Sequence, residues 1–134
     1  MAKIHITLIE NWKKVKEGGF LVPKKELWPN ATGNDIDKVS AFYGIDIHDV
    51  DVLRSIRAEV ARLKNQNTQT NNSEEDYIIL EIICPDIEWV QYTNEEIELI
   101  HPFGQLPKDV YERLGGYCKT HQSIPSNCLR EISL

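Results

Sequence analysis

One long stretch of the sequence has an apolar spacing that places its large side chains on a single face of a helix. Over residues 46–65 these side chains recur at intervals of three and four, at Val50, Leu53, Ile56, Val60 and Leu63. Because an α-helix turns once every 3.6 residues, such a stripe must be buried against another layer of the protein. The sequence therefore predicts a helix over residues 46–65 that packs on a sheet, with Asp46 as its N-cap.

Patterns typical of β-strands occur both before and after this helix in the sequence. Residues 3–9 alternate between apolar and polar side chains, which is typical of a half-buried strand. The pair Gly18-Gly19, followed by an apolar segment, predicts the turn of a hairpin. Residues 77–83 are apolar on both faces, as in a central strand, and the segments 87–92 and 95–103 follow after turn residues. Together these last three segments predict an antiparallel meander.

Shorter elements complete the prediction. A short helix is predicted over residues 32–44, capped by Thr32 or Asn34 and ended by Gly44. Another is predicted to begin at Pro107 and to end at two glycines. Residues 65–76 contain no apolar side chain, which predicts a flexible polar linker between the two halves of the chain.

These elements predict a fold of the α+β class. With 134 residues, the chain has the length of one domain, and we expect a single α+β domain over residues 1–134. Its antiparallel sheet should have four to five strands, packed on one face by one long helix and two short helices. No apolar run approaches the roughly 18 residues that a membrane span requires, so a soluble protein is expected.

The charge balance indicates the kind of partner. The chain carries 21 acidic and 15 basic side chains, for a net charge of −6. Such a field repels a phosphate backbone, so a basic protein partner is favoured over nucleic acid and over a membrane surface. A nuclease toxin or a nucleic-acid-binding protein would be a partner of this kind.

An array of carboxylates and two tryptophans forms the predicted binding face. Carboxylates cluster around the starts of the two predicted helices and near the last predicted strand, and tryptophan beside lysine is a common interface anchor. The predicted partner-binding residues are Asp35, Asp37, Asp46, Asp49, Asp51, Glu95, Glu96, Trp12 and Trp28. They suggest a small acidic cytoplasmic binding protein or inhibitor, of the immunity-protein or phage-inhibitor type, without catalysis or a cofactor.

A transcriptional regulator is the first alternative. Residues 37–56 have the spacing of a helix-turn-helix, and residues 35–65 with the following strands would form a winged variant. In such proteins the start of the second helix enters the major groove. Here that region carries Asp46, His48, Asp49 and Asp51, which would be repelled by phosphates. The sequence therefore favours a packing role for this segment.

A small zinc protein or enzyme is the second alternative. Cys118, His121 and Cys128 lie close together in the sequence, and Cys84 could supply a fourth ligand. However, structural zinc ligands usually come as two close pairs, so the set is a weak candidate. Three cysteines without a recognisable secretion signal favour reduced thiols in the cytoplasm over a disulfide.

Overall fold

The computed structural model describes residues 1–23 and 38–134 and has an α+β fold. Six strands form one antiparallel sheet in the order β5-β6-β3-β1-β4-β8, and β2 pairs with β7 in a separate ribbon. The strands are β1 Ala2–Leu8, β2 Phe20–Leu21, β3 Val39–Ile45, β4 Tyr77–Ile82, β5 Val90–Gln91, β6 Gly116–Thr120, β7 Ile124–Pro125 and β8 Leu129–Ile132. Within the described residues, the helices are α1 Ile9–Gly18, α2 Val50–Thr68, α3 Asn94–Ile100 and α4 Lys108–Glu112.

Both faces of the large sheet are covered, whereas we predicted cover on one face. On one face, α2 buries Leu53 and Ile56 against apolar side chains of β1, β3 and β4. On the other face, Trp12 and Val15 of α1 pack with Leu80 of β4 and with the small ribbon. The polar side of β1 is therefore not open to solvent, and Thr7 is buried. The prediction of four to five strands was too low, because β6 and β8 lie in the last part of the chain, where no period was visible.

The strongest sequence patterns are confirmed. The alternation at the start of the chain forms β1, and the apolar segment after the polar region forms β4, which lies inside the sheet between β1 and β8. The long helix is present as α2, but its N-cap is Asp49, whose side chain accepts a hydrogen bond from the Val52 N–H, and not Asp46. The helix predicted from Pro107 is α4, with Pro107 as its N-cap.

The predicted hairpin at Gly18-Gly19 is wrong, because the preceding residues form α1. Trp12 and Val15, three positions apart, are buried on one side of this helix. Gly19 has a left-handed conformation, and its N–H donates to the Val15 carbonyl at 2.8 Å. This is the geometry of a helix C-cap, which favours glycine as strongly as a hairpin turn does.

The short helix predicted over residues 32–44 is wrong for its second half, because β3 begins at Val39. This strand lies between β1 and β6, and Val39, Ala41, Phe42 and Ile45 are buried, as is typical of a strand covered on both faces. The proposed caps Thr32 and Asn34 lie outside the described residues. Since Val39–Ile45 is a strand, residues 38–56 do not form a helix-turn-helix.

The predicted meander is also wrong, because β4 and β5 are not neighbours in the sheet and most residues of its third strand form α3. The Thr93 hydroxyl accepts from the Glu96 N–H, and the Glu96 carboxylate accepts from the Thr93 N–H. This reciprocal arrangement is a capping box, and its pattern of Thr followed three residues later by Glu was readable in the sequence. Within residues 65–76, α2 continues to Thr68 and a 3-10 turn spans Glu74–Asp76. The flexibility of that segment stays a prediction.

Candidate functional site

The first strand has two neighbours in the sheet, and it separates early from one of them. On one side, β1 pairs with β4 continuously from Lys3–Ile82 to Leu8–Tyr77. On the other side, its described pairs with β3 are Ala2–Ile45 and Ile4–Phe42, with a register shift between them. Beyond Ile4–Phe42 no further residue pair joins the described parts of the two strands, so their facing backbone groups need other partners at this end of the sheet.

A histidine side chain joins the two strands where their described backbone pairing has ended. The Nδ1 atom of His5, on β1, lies 2.7 Å from the carbonyl oxygen of Ser40, on β3. A carbonyl can only accept a hydrogen bond, so Nδ1 carries the proton and donates it. The pKa of His5 is lowered to about 4, mainly by burial and also by the positive charge of Lys64, against the opposing effect of the Ser40 bond. The ring is therefore neutral near pH 7, and its Nε2 atom is a hydrogen-bond acceptor.

A cavity of about 360 Å³ opens beside this bridge. Its walls come from both layers of the fold, because α1 and β2 contribute from one side and α2 contributes from the other. The lining residues are His5, Thr7, Leu8, Asn11, Leu21, Val22, Lys38, Val39, Lys64, Asn67, Thr68, Thr70, Asn72 and Tyr77. A second cavity of about 160 Å³ shares His5, Lys38 and Lys64 with the first. We call the two cavities together the β1–β3 cleft.

The long helix places a lysine directly over the strand gap. Lys64 Nζ donates to the carbonyl oxygen of Ile6 at 3.0 Å and lies 5.9 Å from the centre of the Tyr77 ring. Lys64 thus satisfies a backbone carbonyl of β1 close to the place where its described pairing with β3 ends. Its ammonium group stays within the cleft lining, where it can also interact with an anion.

The polar segment that we predicted as a linker provides one wall of the cleft. Asn65 organises this wall, because its amide donates to the Asn72 carbonyl at 2.7 Å and its oxygen accepts from the Thr70 hydroxyl at 3.0 Å. The same oxygen also accepts from the Asn72 N–H at 3.2 Å. Four polar residues of the segment line the larger cavity, namely Asn67, Thr68, Thr70 and Asn72. These polar residues therefore line the cavity as well as connect α2 to β4.

The predicted acidic face does not form one continuous array in the described residues. Asp49 caps α2 and makes a bidentate ion pair with Arg113, at 2.8 and 3.0 Å. Glu96 pairs with Lys119, and this bond is the largest of the effects that lower the pKa of Glu96 to about 2. In the sheet, Lys119 of β6 lies opposite Ser40 of β3. Its ion-pair partner Glu96 therefore lies near the Ser40 end of β3, whereas Asp46 follows the other end, roughly 20 Å away along the strand.

The remaining predicted partner-binding residues divide into three groups. Asp46, Asp51 and Glu95 are exposed, although the Asp46 carboxylate also accepts a bond from the His48 N–H at 2.9 Å. Trp12 is buried, and its indole N–H donates to Glu131, so it belongs to the core and not to an exposed anchor. Asp35, Asp37 and Trp28 lie outside the described residues.

The expectation of reduced thiols is wrong for two of the three cysteines, because Cys84 and Cys128 form a disulfide. Their Cα atoms are 5.1 Å apart, since the pairing of β4 with β8 brings Ile82 opposite Leu129. That pairing joins residues that are distant in the sequence, and no local pattern predicts it. The disulfide removes two of the four donors that we considered for zinc.

The third cysteine is not placed for catalysis or metal binding. Cys118 is buried on β6, where its thiol contacts the Ala41 carbonyl at 3.4 Å. Burial raises the pKa of this thiol to about 11, which opposes formation of the reactive thiolate. His121 is exposed in the turn after β6. Among residues 1–23 and 38–134, no three His, Cys, Asp or Glu side chains converge as a metal site.

Sequence reasoning missed the cleft, although one signal was present. We assigned His5 to the polar side of a half-buried strand, and we assigned Lys38 and Lys64 to no site. The signal was the unusual polarity of residues 65–72 directly after a well-patterned helix. In the part of the chain that the structure describes, no helix combines the length and apolar character needed to cross a bilayer. No family model, curated protein or solved structure matches this chain.

Proposed function

We propose that this protein is a small-molecule-binding domain whose site is the β1–β3 cleft. The observation that carries the proposal is the end of the described pairing between two neighbouring strands beside a cavity of about 360 Å³. That volume falls within the range of roughly 300–1,000 Å³ that is typical of ligand sites. A chain that only needed a stable core would have continued the ladder and filled this space.

The composition of the cleft supports the same proposal. Leu8, Leu21, Val22 and Val39 give it an apolar part. Polar groups from β1, α1 and α2 line the remainder. The hydrogen bond from His5 Nδ1 to the Ser40 carbonyl fixes the ring, whose Nε2 atom is an acceptor. A concave apolar surface with a few fixed polar groups is the usual design of a ligand site. Such a site needs no covalent chemistry, and the buried Cys118 thiol lies on another strand.

A fragment screen tests this function. The ¹⁵N-labelled protein is titrated with a library of small aromatic and aliphatic compounds, and amide shifts are followed by NMR. We expect the shifts to concentrate on residues 5–11 and 64–72. In a Val22→Trp variant the new ring should fill the cavity and remove these shifts, while Phe20→Trp, which changes an exposed residue outside the lining, should retain them.

Two results would contradict the proposal. One is a screen in which no compound moves cleft resonances, although the protein is folded by circular dichroism. The other is binding that survives Val22→Trp unchanged in a folded variant, because the ligand would then sit elsewhere. If Val22→Trp fails to fold, Asn11→Trp on α1, which also lines the cavity, provides the same blockade.

Occlusion of a basic protein partner remains a second proposed function, on a smaller surface. It is supported by the exposed carboxylates Asp46 and Asp51 at the start of α2, which flank the exposed Val50. A charged rim around an apolar contact is typical of protein interfaces. A cytoplasmic place of action, which we inferred from reduced thiols, loses that support because of the Cys84–Cys128 disulfide.

A pull-down separates this second function from the first. Tagged protein and a variant with Asp46→Lys and Asp51→Lys are compared for the proteins they retain at low and high salt. We expect a basic protein on the unmodified chain that is released by salt and is lost from the variant. Equal retention by both proteins would exclude this acidic surface.

A further inference from the structure

We propose that the Cys84–Cys128 disulfide is a redox switch that controls the local opening of the last two strands. We call residues 121–132, which include β7 and β8, the β7–β8 segment. The intact disulfide holds this segment closed, and reduction lets it open while the rest of the large sheet stays folded. The inference goes beyond the proposed function, because it requires no ligand in the β1–β3 cleft.

Backbone pairing attaches the β7–β8 segment on one side only. Among the described strands, β8 lies at the edge of the large sheet and pairs with β4 alone, from Ile79–Ile132 to Ile82–Leu129. β7 lies outside that sheet and pairs with β2 over two residue pairs. An edge strand opens by breaking one ladder, whereas β1 or β3 would have to break two. Local opening is therefore easier for this segment than for the centre of the sheet.

The disulfide connects this segment covalently to a central strand. Cys84 lies two residues after the end of β4 at Ile82, and Cys128 directly precedes β8 at Leu129. Next to the disulfide, the Ile83 N–H donates to the Cys128 carbonyl at 2.8 Å. While the disulfide is intact, the segment can open only with Cys128 held beside β4. Reduction removes this restriction and raises the conformational entropy of the open state.

Noncovalent side-chain contacts keep the segment closed for most of the time. Ile124 of β7 and Leu129 of β8 are buried in the core, which opposes opening. On the surface, Arg130 pairs with Glu81 of β4, but the Arg130 side chain is largely exposed, so this ion pair contributes little. Reduction should therefore change how often the segment opens and leave the average fold unchanged.

The two cysteines differ in their access to solvent. Cys128 is buried, with 5% of its surface exposed, whereas Cys84 is half-buried and lies between the exposed residues Ile83 and Pro85. A reductant therefore reaches the Cys84 sulfur more readily than the Cys128 sulfur. Disulfides that are exposed are the more easily reduced and include the regulatory ones. The position of Cys84 thus allows reduction in the folded protein.

The reduction is a thiol–disulfide exchange with a dithiol. One thiolate of the dithiol attacks the Cys84 sulfur, which forms a mixed disulfide and releases the Cys128 thiolate. The second thiol then attacks the reductant's own sulfur in the mixed disulfide and releases the Cys84 thiolate. Two electrons pass to the protein, and the two protons of the dithiol end on Cys84 and Cys128. The dithiol itself ends as a disulfide.

The β7–β8 segment also supports one wall of the β1–β3 cleft. Ile124 of β7 pairs with Leu21 of β2, and Leu21 lines the larger cavity. When β7 opens, β2 loses this pairing partner beside the cavity. The switch therefore acts next to the proposed ligand site, although its test needs no ligand.

Cysteine labelling of the folded protein tests the switch. The oxidised protein is treated without denaturant, first with dithiothreitol and then with an excess of iodoacetamide, and the labelled residues are identified by mass spectrometry. We expect labels on Cys84 and Cys128 alone. Cys118 is an internal reporter of unfolding, because it is buried on β6 inside the sheet, with 2% of its surface exposed.

Hydrogen exchange measures the opening itself. Amide exchange is followed by NMR in the oxidised protein and in a variant with Cys84→Ser and Cys128→Ser, and the rates for β7 and β8 are divided by those for β1. A loss of global stability alone would accelerate both sets of amides. We expect this ratio to rise at least about tenfold in the variant, a modest effect for a disulfide. In the control Arg130→Gln, which keeps the disulfide, it should change only about twofold.

Three results would overturn the switch. An absence of labels without denaturant would show that the folded protein resists reduction. Labelling of Cys118 as fast as the other two cysteines would show that reduction unfolds the whole sheet. An unchanged exchange ratio would show that the segment stays closed without the disulfide. If the double variant fails to fold, the same ratio is measured on the unmodified chain with and without dithiothreitol.

Discussion

The two sides of β1 differ in their backbone pairing, which is continuous towards β4 and interrupted towards β3. Towards β4, six consecutive residue pairs hold the strands together, and Ile79 and Leu80 of β4 are almost fully buried. Towards β3 the described pairing stops at Ile4–Phe42, and the side chains of His5 and Lys64 bond the Ser40 and Ile6 carbonyls there. Where the backbone satisfies itself, apolar packing follows, and where it does not, polar side chains and a cavity take its place.

The largest expected difference between the two sides is in the free energy of unfolding lost when a buried leucine is replaced by alanine. Leu80 and Leu21 are both almost fully buried, but only Leu21 lines the cleft. Leu80→Ala should open a new void and lower the free energy of unfolding by about 4 kcal/mol, near the upper end for such changes. Leu21→Ala enlarges an existing cavity and should lower it by about 2 kcal/mol. Urea unfolding measures both, and equal losses would mean that the cleft side is packed as tightly as the β4 side.

The next effect is a dependence of stability on pH that arises on the cleft side. Burial lowers the pKa of His5 to about 4, whereas in the unfolded chain it should lie near the ordinary value of 6.5. Between these values the unfolded state binds more protons than the folded state, so stability falls as pH decreases from about 6.5 to about 4. The loss should total about 2 kcal/mol, since a half-buried ring is partly screened by solvent.

A variant isolates this contribution from other titrating groups. His5→Gln can still donate to the Ser40 carbonyl but does not titrate, so its stability should vary less between pH 6.5 and 4. Glu96 also lowers stability as the pH approaches 4, because its pKa falls from 4.5 to about 2 on folding, but this contribution is the same in both proteins and cancels from their difference. Chemical unfolding at several pH values measures the difference. Identical pH profiles for the two proteins would show that His5 is not held neutral in the cleft.

The smallest effect concerns the part of β3 that stays joined to the sheet. Gly44 has a φ of 70°, and a Cβ at this position would lie 2.6 Å from the Cα of Gly115. Gly44→Ala should therefore cost about 1–2 kcal/mol through strain and a backbone clash. Gly18→Ala is the control, because its Cβ would meet nothing within 4 Å in α1, and it should slightly increase stability. Thermal unfolding compares the two, and a neutral Gly44→Ala would mean that β3 can shift freely.

Local patterns predicted the elements that depend on near neighbours. The period of α2 and the alternation of β1 survive in the structure, because each needs only one face to be buried against some apolar layer. The α3 capping box was also local, and we misread it as a strand because the apolar residues around it fit both periods. The Gly18-Gly19 pair misled for a similar reason, since a helix C-cap and a hairpin turn both favour glycine.

The candidate site depended on contacts that no local pattern contains. His5 meets Ser40 across 35 positions, and Lys64 meets Ile6 across 58. The disulfide joins residues 44 positions apart through the pairing of β4 with β8. Carboxylates that looked like one face are instead distributed between the cap of α2 and the far end of β3.

The sequence by itself determined the α+β class, the long amphipathic helix, the first strand and the buried fourth strand of this protein. These follow from the spacing of apolar side chains, which acts over one or two turns of chain. Only the tertiary structure decided that β3 separates from β1, that Lys64 lies over the gap and that a polar segment closes it. A strand's neighbours are chosen by the packing of the whole sheet, so the place where a ladder stops is a property of the fold and not of any one segment.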